Sequence, residues 1–335
     1  MILFVVDQIA GAEYVLPLIG GPLRSADWSI IASPVSSSLL SREGVPHQVV
    51  EEPTFQDAES WIRTIGPTKA LVSASVRSKL EKSFVQALRM SEIPCFQFID
   101  MWINYRRRFE SLDDPLLMVY PDSILTLDSR ARSQMESEGI PASLIQVVGQ
   151  PALEVLLKKY SPDEAGKMTR GEKILIATQP VHKYYGKSLG YDESDFIQSS
   201  LEALQLAAVH WRQIDICVHP AESTETYRGL AKQFSNEIAI LHNPILQMDR
   251  YRIVLGMFSS LLVHGILSGS SAASVQPGAP AADMCPLPNI PRFHRAKELA
   301  EWINNCTTLP RPVPKQEFQI LLGSGDRVAS LLCQA

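Results

Sequence analysis

The chain has 335 residues, which fits two domains of about 150 residues better than one core. Hydrophobic residues make up 45% and charged residues 20%, a globular composition that leaves no room for a long disordered tract. The net charge of −5 argues against general nucleic-acid binding, which needs a basic face, so we expect no nucleic-acid partner.

The N-terminal segment and the cysteines bear on the compartment. Residues 2–6 (ILFVV) follow no basic segment and end at Asp7, so we interpret them as a buried strand and not as a signal peptide. No stretch approaches 18 uninterrupted apolar residues, which argues against a transmembrane helix. The five cysteines are scattered and form no C-x-x-C pair, so no metal site is indicated. These features predict a cytoplasmic protein and leave its oligomeric state open.

The first half alternates apolar strands with helical stretches. The predicted strands are 2–6, 28–32, 47–50, 70–73, 95–100 and 123–127, and the helices between them begin near residues 12, 37, 55 and 78. Such alternation predicts βαβ units, and therefore one doubly wound, Rossmann-like domain over residues 1–155. The working crevice of an open sheet of this kind lies at the carboxyl ends of its strands.

Three strand ends in this half carry polar groups. They are residues 7–13, where Gly11 allows close backbone approach, the Ser73-Ala74-Ser75 turn, and residues 100–109 (DMWINYRRRF). The third stretch is either a solvated basic loop with Trp102 packed inside or an acceptor or phosphate site, because arginine matches the oxygens of phosphate and carboxylate groups. Its candidate site residues are Asp100, Trp102, Asn104 and Arg106.

Residues 156–172 turn polar and predict a linker, after which the alternation restarts. The predicted strands of residues 173–335 are 174–177, 214–218, 238–241, 253–255 and 274–278, with helices at 192–211, 261–267 and 293–304. This pattern predicts a second Rossmann-like domain over residues 173–335. Its last helix is a candidate to pack back on the N-terminal domain. Reactive side chains at strand ends in both halves predict a ligand in a cleft that the two domains face.

The second half offers its own strand-end candidates. Gln179 and His182 follow its first strand, and His219-Pro220 ends the second, where the proline favours an extended backbone that lets the ring project. Ser259 and Ser260 precede the apolar run 261–267. They either cap a core helix or, with the helix N-terminus, form an anion site. His219, Ser259 and Ser260 together predict a phosphate-binding wall.

The His219-Pro220 pair, followed some forty residues later by Ser259-Ser260, resembles bacterial glycosyltransferases of the GT-B fold. The most similar groups are sialyltransferases, polysialyltransferases and capsule-type transferases with His-Pro and Ser-Ser motifs. The resemblance implies that His219, Pro220, Met257, Ser259 and Ser260 bind the donor phosphate, with an imidazolium at His219. It also implies that no metal or other cofactor is needed and that a carboxylate of the first domain is the base.

The acidic base motif of the sialyltransferases is absent, and Asp100 and Glu13 stay open as alternatives for the base. We therefore expect an inverting, metal-independent transferase that moves a sugar from a nucleotide donor to a glycan or other hydroxyl acceptor in surface polysaccharide biosynthesis. On the acceptor side we place Gly11, Trp102, Asn104, Arg106, Gln179 and His182. Residues 106–108 offer a peripheral membrane contact, although the acidic net charge gives it little support.

Two alternatives have a different function. One is a catalytically inactive GT-B-like binding or scaffold protein, which the missing acidic motif favours. The other is a nucleotide-sugar epimerase or hydrolase. Related epimerases carry an Asp-Ser-Gly-Gly turn where this chain has residues 257–260 (MFSS), which counts against epimerisation.

Overall fold

The computed structural model describes residues 1–160, 171–219, 221–242, 247–278, 283–285, 287, 289–309, 312 and 316–334. The chain forms two compact units, one made of Met1–Val155 with Gln316–Ala335 and the other of Leu156–Lys315. Each unit holds one sheet of parallel strands with helices around it. This architecture confirms the predicted fold class of two Rossmann-like α/β domains. Pro220 and residues 161–170 of the predicted linker lie outside the described residues.

The strands of the first unit have the spatial order β3-β2-β1-β4-β5-β6-β7, and those of the second have the order β10-β9-β8-β11-β12-β13. In chain order the strands are β1 (Ile2–Val6), β2 (Trp28–Ala32), β3 (Gln48–Val49), β4 (Lys69–Ser73), β5 (Cys95–Phe98), β6 (Ser123–Thr126), β7 (Ile145–Val147), β8 (Lys173–Ala177), β9 (Ile214–Val218), β10 (Ala239–His242), β11 (Tyr251–Gly256), β12 (Ser271–Val275) and β13 (Arg292–Phe293).

The described helices run between the strands and close the chain. They are α1 (Ile9–Gly20), α2 (Pro34–Arg42), α3 (Phe55–Ile65), α4 (Lys79–Met90), α5 (Ser129–Ser137), α6 (Pro151–Lys159), α7 (Val181–Tyr185), α8 (Glu193–Leu206), α9 (Thr224–Phe234), α10 (Ser260–Leu267), α11 (Ala296–Thr308) and α12 (Ser324–Cys333). Short 3-10 turns lie at Arg106–Arg108, Ala142–Leu144, Trp211–Gln213, Met248–Arg250 and Gln316–Leu321.

Strand β1 shows why its sequence is apolar without alternation. Phe4 and Val6 pack into the core cluster on the α1 side of the sheet. Leu3 and Val5 pack into the cluster on the α4 side. Because helices cover both faces, every side chain of the strand must be apolar. Helices α1 and α4 therefore lie on opposite faces of this sheet.

Each sheet contains one place where the strand order reverses. From β1 the chain adds β2 and β3 on one side and then crosses to β4 on the other, and from β8 it adds β9 and β10 before crossing to β11. At such a switch point the connections leave in opposite directions, which opens a crevice at the carboxyl ends of the two neighbouring strands. The two crevices lie beyond β1 and β4 in the first unit and beyond β8 and β11 in the second.

Two predicted elements of the second half differ from the structure. The strand expected at 274–278 is β12 at Ser271–Val275, a run of small residues against which α10 packs. The helix expected over 192–211 ends at Leu206, and Ala208 has a positive φ of 53°, a backbone conformation that a continuing helix does not have. Apolar residues after Leu206 lie in the segment that leads to β9 and not in the helix.

Helix α12 is tied to the first unit through the carboxylate of Glu154, which is 5% exposed. This group accepts hydrogen bonds from the Gly323 N–H at 2.7 Å, the Ser324 hydroxyl at 2.9 Å and the Gly325 N–H at 2.9 Å. A negative charge at a helix N-terminus also satisfies the helix dipole. Residues Val328, Ala329 and Leu332 then complete the core cluster on the α1 side.

We expect Glu154→Ala to lower the free energy of unfolding by about 3 kcal/mol, because three buried donors lose their acceptor at about 1 kcal/mol each. Urea unfolding measures this change. Glu51→Ala removes an exposed carboxylate and serves as the matched control. Equal stability of the two variants would contradict the assigned role of Glu154.

Candidate functional site

The second unit brings two strand exits together at its switch point. Ala177, the last residue of β8, pairs with Gly256, the last residue of β11. Gln179 follows β8 and accepts a hydrogen bond through Oε1 from the Phe258 N–H at 2.9 Å. Gln179, predicted on the acceptor side, thus links the two exits and fixes the turn that precedes α10.

Ser259 and Ser260 have different environments in that turn. Ser259 is the N-cap of α10, and its hydroxyl accepts the Leu261 N–H at 3.2 Å. Ser260 is the first residue of the helix and is exposed. Ser259 therefore has the capping role, while the Ser260 N–H and hydroxyl leave the N-terminus of α10 suited to an anion.

Met257 is 0% exposed, and its carbonyl oxygen accepts a hydrogen bond from the Ser274 hydroxyl at 2.5 Å. Its side chain therefore belongs to the core, and the phosphate-binding role of Met257 stays a prediction. His182 lies on the short helix α7 with an exposed side chain. Its backbone N–H donates to the Glu193 carboxylate at 2.9 Å.

His219 follows β9, next to β8 in the sheet. Its Nδ1 accepts the Ala221 N–H at 3.1 Å. Burial, followed by the Lys183 ammonium, lowers the pKa of His219. The ring is therefore neutral at pH 7 and carries its proton on Nε2. His219 thus offers one N–H donor through Nε2, and the imidazolium that the resemblance implies stays a prediction.

A hydrogen-bonded group behind His219 was not predicted from the sequence. The Thr178 hydroxyl accepts the His219 N–H at 3.1 Å and donates to the Glu222 carboxylate at 2.6 Å. The Tyr227 hydroxyl donates to the same carboxylate, and the Glu222 N–H donates to the His219 carbonyl at 2.9 Å. Thr178 and Glu222 therefore fix the backbone from which the imidazole projects.

The crevice of the first unit is lined by groups that follow β1 and β4. Gly11 lies in the first turn of α1, where a Cβ atom would come within 3.2 Å of Ser73 Cβ and Oγ. The Ser73 hydroxyl also accepts the Asp7 N–H at 3.1 Å. Gly11 thus allows α1 to approach the β4 exit closely, and the structure gives it a packing role at this position.

Glu13 and Asp100 were the open alternatives for a base, and their surroundings differ. Asp100 is ion-paired with Arg108, with 2.6 Å between Oδ1 and Nη1. Glu13 is half-buried on α1 and has no hydrogen-bond or ion-pair partner among the described residues. Burial, followed by the nearby Asp100 carboxylate, raises the pKa of Glu13 to about 7. A carboxyl group with that pKa is suited to proton transfer near neutral pH.

The loop after β5 is held together by its own contacts. Trp102 is 4% exposed and donates through Nε1 to Asp128 at 2.7 Å, so its ring offers no surface to an acceptor. The Arg106 N–H donates to Glu138 at 2.8 Å. Asn104 has a φ of 59°, a left-handed conformation that asparagine tolerates. The buried Trp102 corrects the acceptor role expected of it, while the roles of Asn104 and Arg106 stay predictions.

A second buried carboxyl group at this crevice was also missed. Glu81, on α4, is 1% exposed. It accepts hydrogen bonds from the Ser73 hydroxyl, from the Ser75 N–H at 2.5 Å and from the Ser75 hydroxyl at 2.9 Å. Burial, followed by the Asp7 carboxylate, raises the pKa of Glu81 to about 7. The Ser73-Ala74-Ser75 turn was the sequence signal that could have pointed to it.

Membrane-spanning helices and metal-binding groups were both sought among the described residues. No helix among them combines the length and apolar character needed to cross a bilayer. Within the same residues, His, Cys, Asp and Glu form no group of three or more that could hold a metal ion.

Two Rossmann-like α/β units, each with one sheet of parallel strands, match the GT-B-like fold of the solved structures described next. No protein-family model matches the chain, and no curated relative matches it. Among solved structures, UDP-GlcNAc 2-epimerase from Neisseria meningitidis bound to UDP-GlcNAc is similar with a TM-score of 0.71 at 13% identity, over 99% of this chain and 100% of that one.

Two further structures are similar over most of their length. The UDP-GlcNAc 2-epimerase from Methanocaldococcus jannaschii gives a TM-score of 0.68 at 12% identity, over 99% of both chains. MurG from Acinetobacter baumannii gives 0.54 at 13% identity, over 99% of this chain and 98% of that one. At such identities the likeness shows the fold. These neighbours are not the sialyltransferases that the His-Pro and Ser-Ser motifs resemble.

Glu81 leads to a prediction about pH and stability. Because the folded-state pKa lies near 7 and the unfolded value near 4.5, the folded protein binds more protons between these values, so stability falls as pH rises through this window. Glu81→Gln removes this cost, on the order of 3 kcal/mol for a shift of this size. We expect the variant to gain stability relative to wild type between pH 5 and 8, as measured by urea unfolding. A difference that does not change with pH would refute the assignment.

Proposed function

We propose that this protein is a nucleotide-sugar epimerase that acts on a UDP-sugar. The choice between epimerisation and glycosyl transfer rests on one observation, the likeness over nearly the whole of both chains to UDP-GlcNAc 2-epimerases, with a higher TM-score than for MurG. The epimerase alternative is therefore better supported than the transferase prediction. Glycosyl transfer to a glycan acceptor is the second candidate.

In this proposal the crevice of the second unit binds the diphosphate. The Ser260 N–H and hydroxyl at the start of α10 supply hydrogen-bond donors, and the helix dipole favours the negative charge. The neutral His219 ring adds its Nε2 proton. These donors stabilise the charge that develops on the phosphate as the bond to the sugar breaks. The turn at residues 257–260 lacks the acidic residue and glycines of the related epimerases, but it keeps a capped helix N-terminus.

The first unit holds carboxyl groups suited to proton transfer. Inversion at carbon 2 of a sugar requires that its C–H bond break and re-form on the other face. No carbonyl group adjoins this carbon in UDP-GlcNAc, so removal of the proton is coupled to departure of UDP from carbon 1, with formation of a carbon–carbon double bond. Glu13 is the base that we assign, because it has no hydrogen-bond or ion-pair partner among the described residues and its pKa lies near 7.

We expect the protein to convert UDP-GlcNAc to its carbon-2 epimer without any acceptor. In D₂O the epimer should carry deuterium at carbon 2, which proton NMR detects. Glu13→Gln should lower turnover at least 100-fold, because the amide cannot accept the proton. Glu51→Gln, an exposed change on the same unit, should leave turnover unchanged.

The same assay separates the alternatives. Sugar transferred only when a glycan acceptor is present would establish the transferase, and free sugar released without an epimer would establish a hydrolase. Binding of UDP without any turnover would favour the inactive binding protein. Each of these results would overturn the proposal.

Ser260→Asp tests the phosphate site separately. An acidic residue in the first turn of a helix is favourable for the helix itself, so we expect the melting temperature to be unchanged or raised. The new charge repels the diphosphate, and UDP should bind at least about 10-fold more weakly, a loss of about 1.4 kcal/mol. Calorimetric titration with UDP measures this affinity.

Ala296→Asp places the same charge in the first turn of α11 and is the matched control. If both variants bind UDP as tightly as the wild type, the N-terminus of α10 is not the phosphate site.

A further inference from the structure

Glu81 and the Ser75 hydroxyl have no part in the proton removal assigned above, yet they lie at the same crevice. Ser75 follows β4 and is half-buried, while the Glu81 carboxyl behind it is 1% exposed. The Ser75 hydroxyl donates to Glu81 Oε1 at 2.9 Å, and the Ser75 N–H fixes the other carboxylate oxygen. A hydroxyl at the crevice therefore has a buried carboxyl group within direct hydrogen-bond reach.

The two carboxyl groups of this crevice approach it from opposite sides of the sheet. Glu13 belongs to α1, whose residues Tyr14 and Leu18 pack into the cluster on one face. Glu81 belongs to α4, whose residues Leu80 and Phe84 pack into the cluster on the other face. Inversion at carbon means that a proton leaves one face and returns on the other, and two groups on opposite sides can do this without the sugar turning over in the site.

We propose that Ser75, backed by Glu81, is the second proton-transfer group of the epimerase and works on the sugar face opposite to Glu13. This inference rests on the proposed function. Ser75 is the residue that contacts the substrate, and Glu81 is a positioning residue that exchanges a proton with it.

Glu13 takes the proton from carbon 2, the C–H electrons form the double bond, and UDP leaves with the electrons of the C–O bond. When UDP adds back to carbon 1, the double-bond electrons take the Ser75 hydroxyl proton onto carbon 2, and the protonated Glu81 carboxyl returns a proton to Ser75. Glu13 ends protonated and Glu81 ionised, and exchange with water restores both. The raised pKa values of both carboxyl groups, each about 7, allow either form near neutral pH.

The test uses the full chain, D₂O and each epimer separately, with UDP-GlcNAc and its carbon-2 epimer as the probes. If two groups act on opposite faces, Ser75→Ala should still exchange deuterium into UDP-GlcNAc, from which Glu13 removes the proton. The rate of this exchange should stay within about threefold of wild type. Exchange into the other epimer and net epimerisation should fall about 100-fold. Glu13→Gln should show the reverse preference, and Glu81→Gln should follow Ser75→Ala. Ser75→Thr, which keeps a hydroxyl, should restore part of the lost exchange.

A merely structural role for Ser75 would slow exchange of both epimers together, and this result would overturn the inference. Unchanged epimerisation in Ser75→Ala and Glu81→Gln would do the same. Ser41→Ala, an exposed serine on α2, is the matched control, and thermal unfolding reports whether each variant is folded. A wild-type protein that leaves UDP-GlcNAc unchanged would instead overturn the proposed function itself.

Discussion

The reversal of strand order in each sheet determines where chemistry can occur in this protein. Strands that run parallel must be joined by crossovers, and where two neighbouring crossovers leave in opposite directions no helix covers the strand ends. In the second unit this gap lies between Ala177 and Gly256, and every described candidate ligand for a phosphate is within a few residues of it or of the neighbouring β9. The first unit repeats the arrangement with carboxyl and hydroxyl groups. One topological rule therefore produces two crevices with different chemistry.

The contrast between the crevices is electrostatic. The second presents N–H and hydroxyl donors around a helix N-terminus, a surface that stabilises negative charge without any buried cation. The first holds Glu13 and Glu81, whose ionisation is disfavoured by burial and by a neighbouring aspartate, Asp100 for Glu13 and Asp7 for Glu81. Such an arrangement is costly for stability and is typical of sites that move protons. The Arg108–Asp100 ion pair occupies the Asp100 carboxylate, whereas Glu13 has no hydrogen-bond or ion-pair partner among the described residues.

Much of this architecture can be predicted from the sequence, because buried parallel strands must be apolar at every position. Residues 2–6 and 174–177 show this plainly, and the strand ends after them follow at once. Burial of side chains in loops cannot be predicted in this way. The sequence therefore suggested binding roles for Trp102 and Met257, whose side chains are buried.

Long-range hydrogen bonds are equally hidden in the sequence. Glu81 resembles a surface residue of an amphipathic helix, and only the fold places it under Ser73 and Ser75. The neutral state of His219 depends on its burial and on Lys183, which is 36 residues earlier in the chain.

The attachment of α12 to Glu154 has a consequence for synthesis on the ribosome. The first unit is built from two separate stretches, so its core lacks Val328 and Leu332 until the whole second unit has been translated. Domains usually fold in the order in which they emerge. The second unit, which is one continuous stretch of chain, can therefore complete its fold before the first unit receives its last core residues.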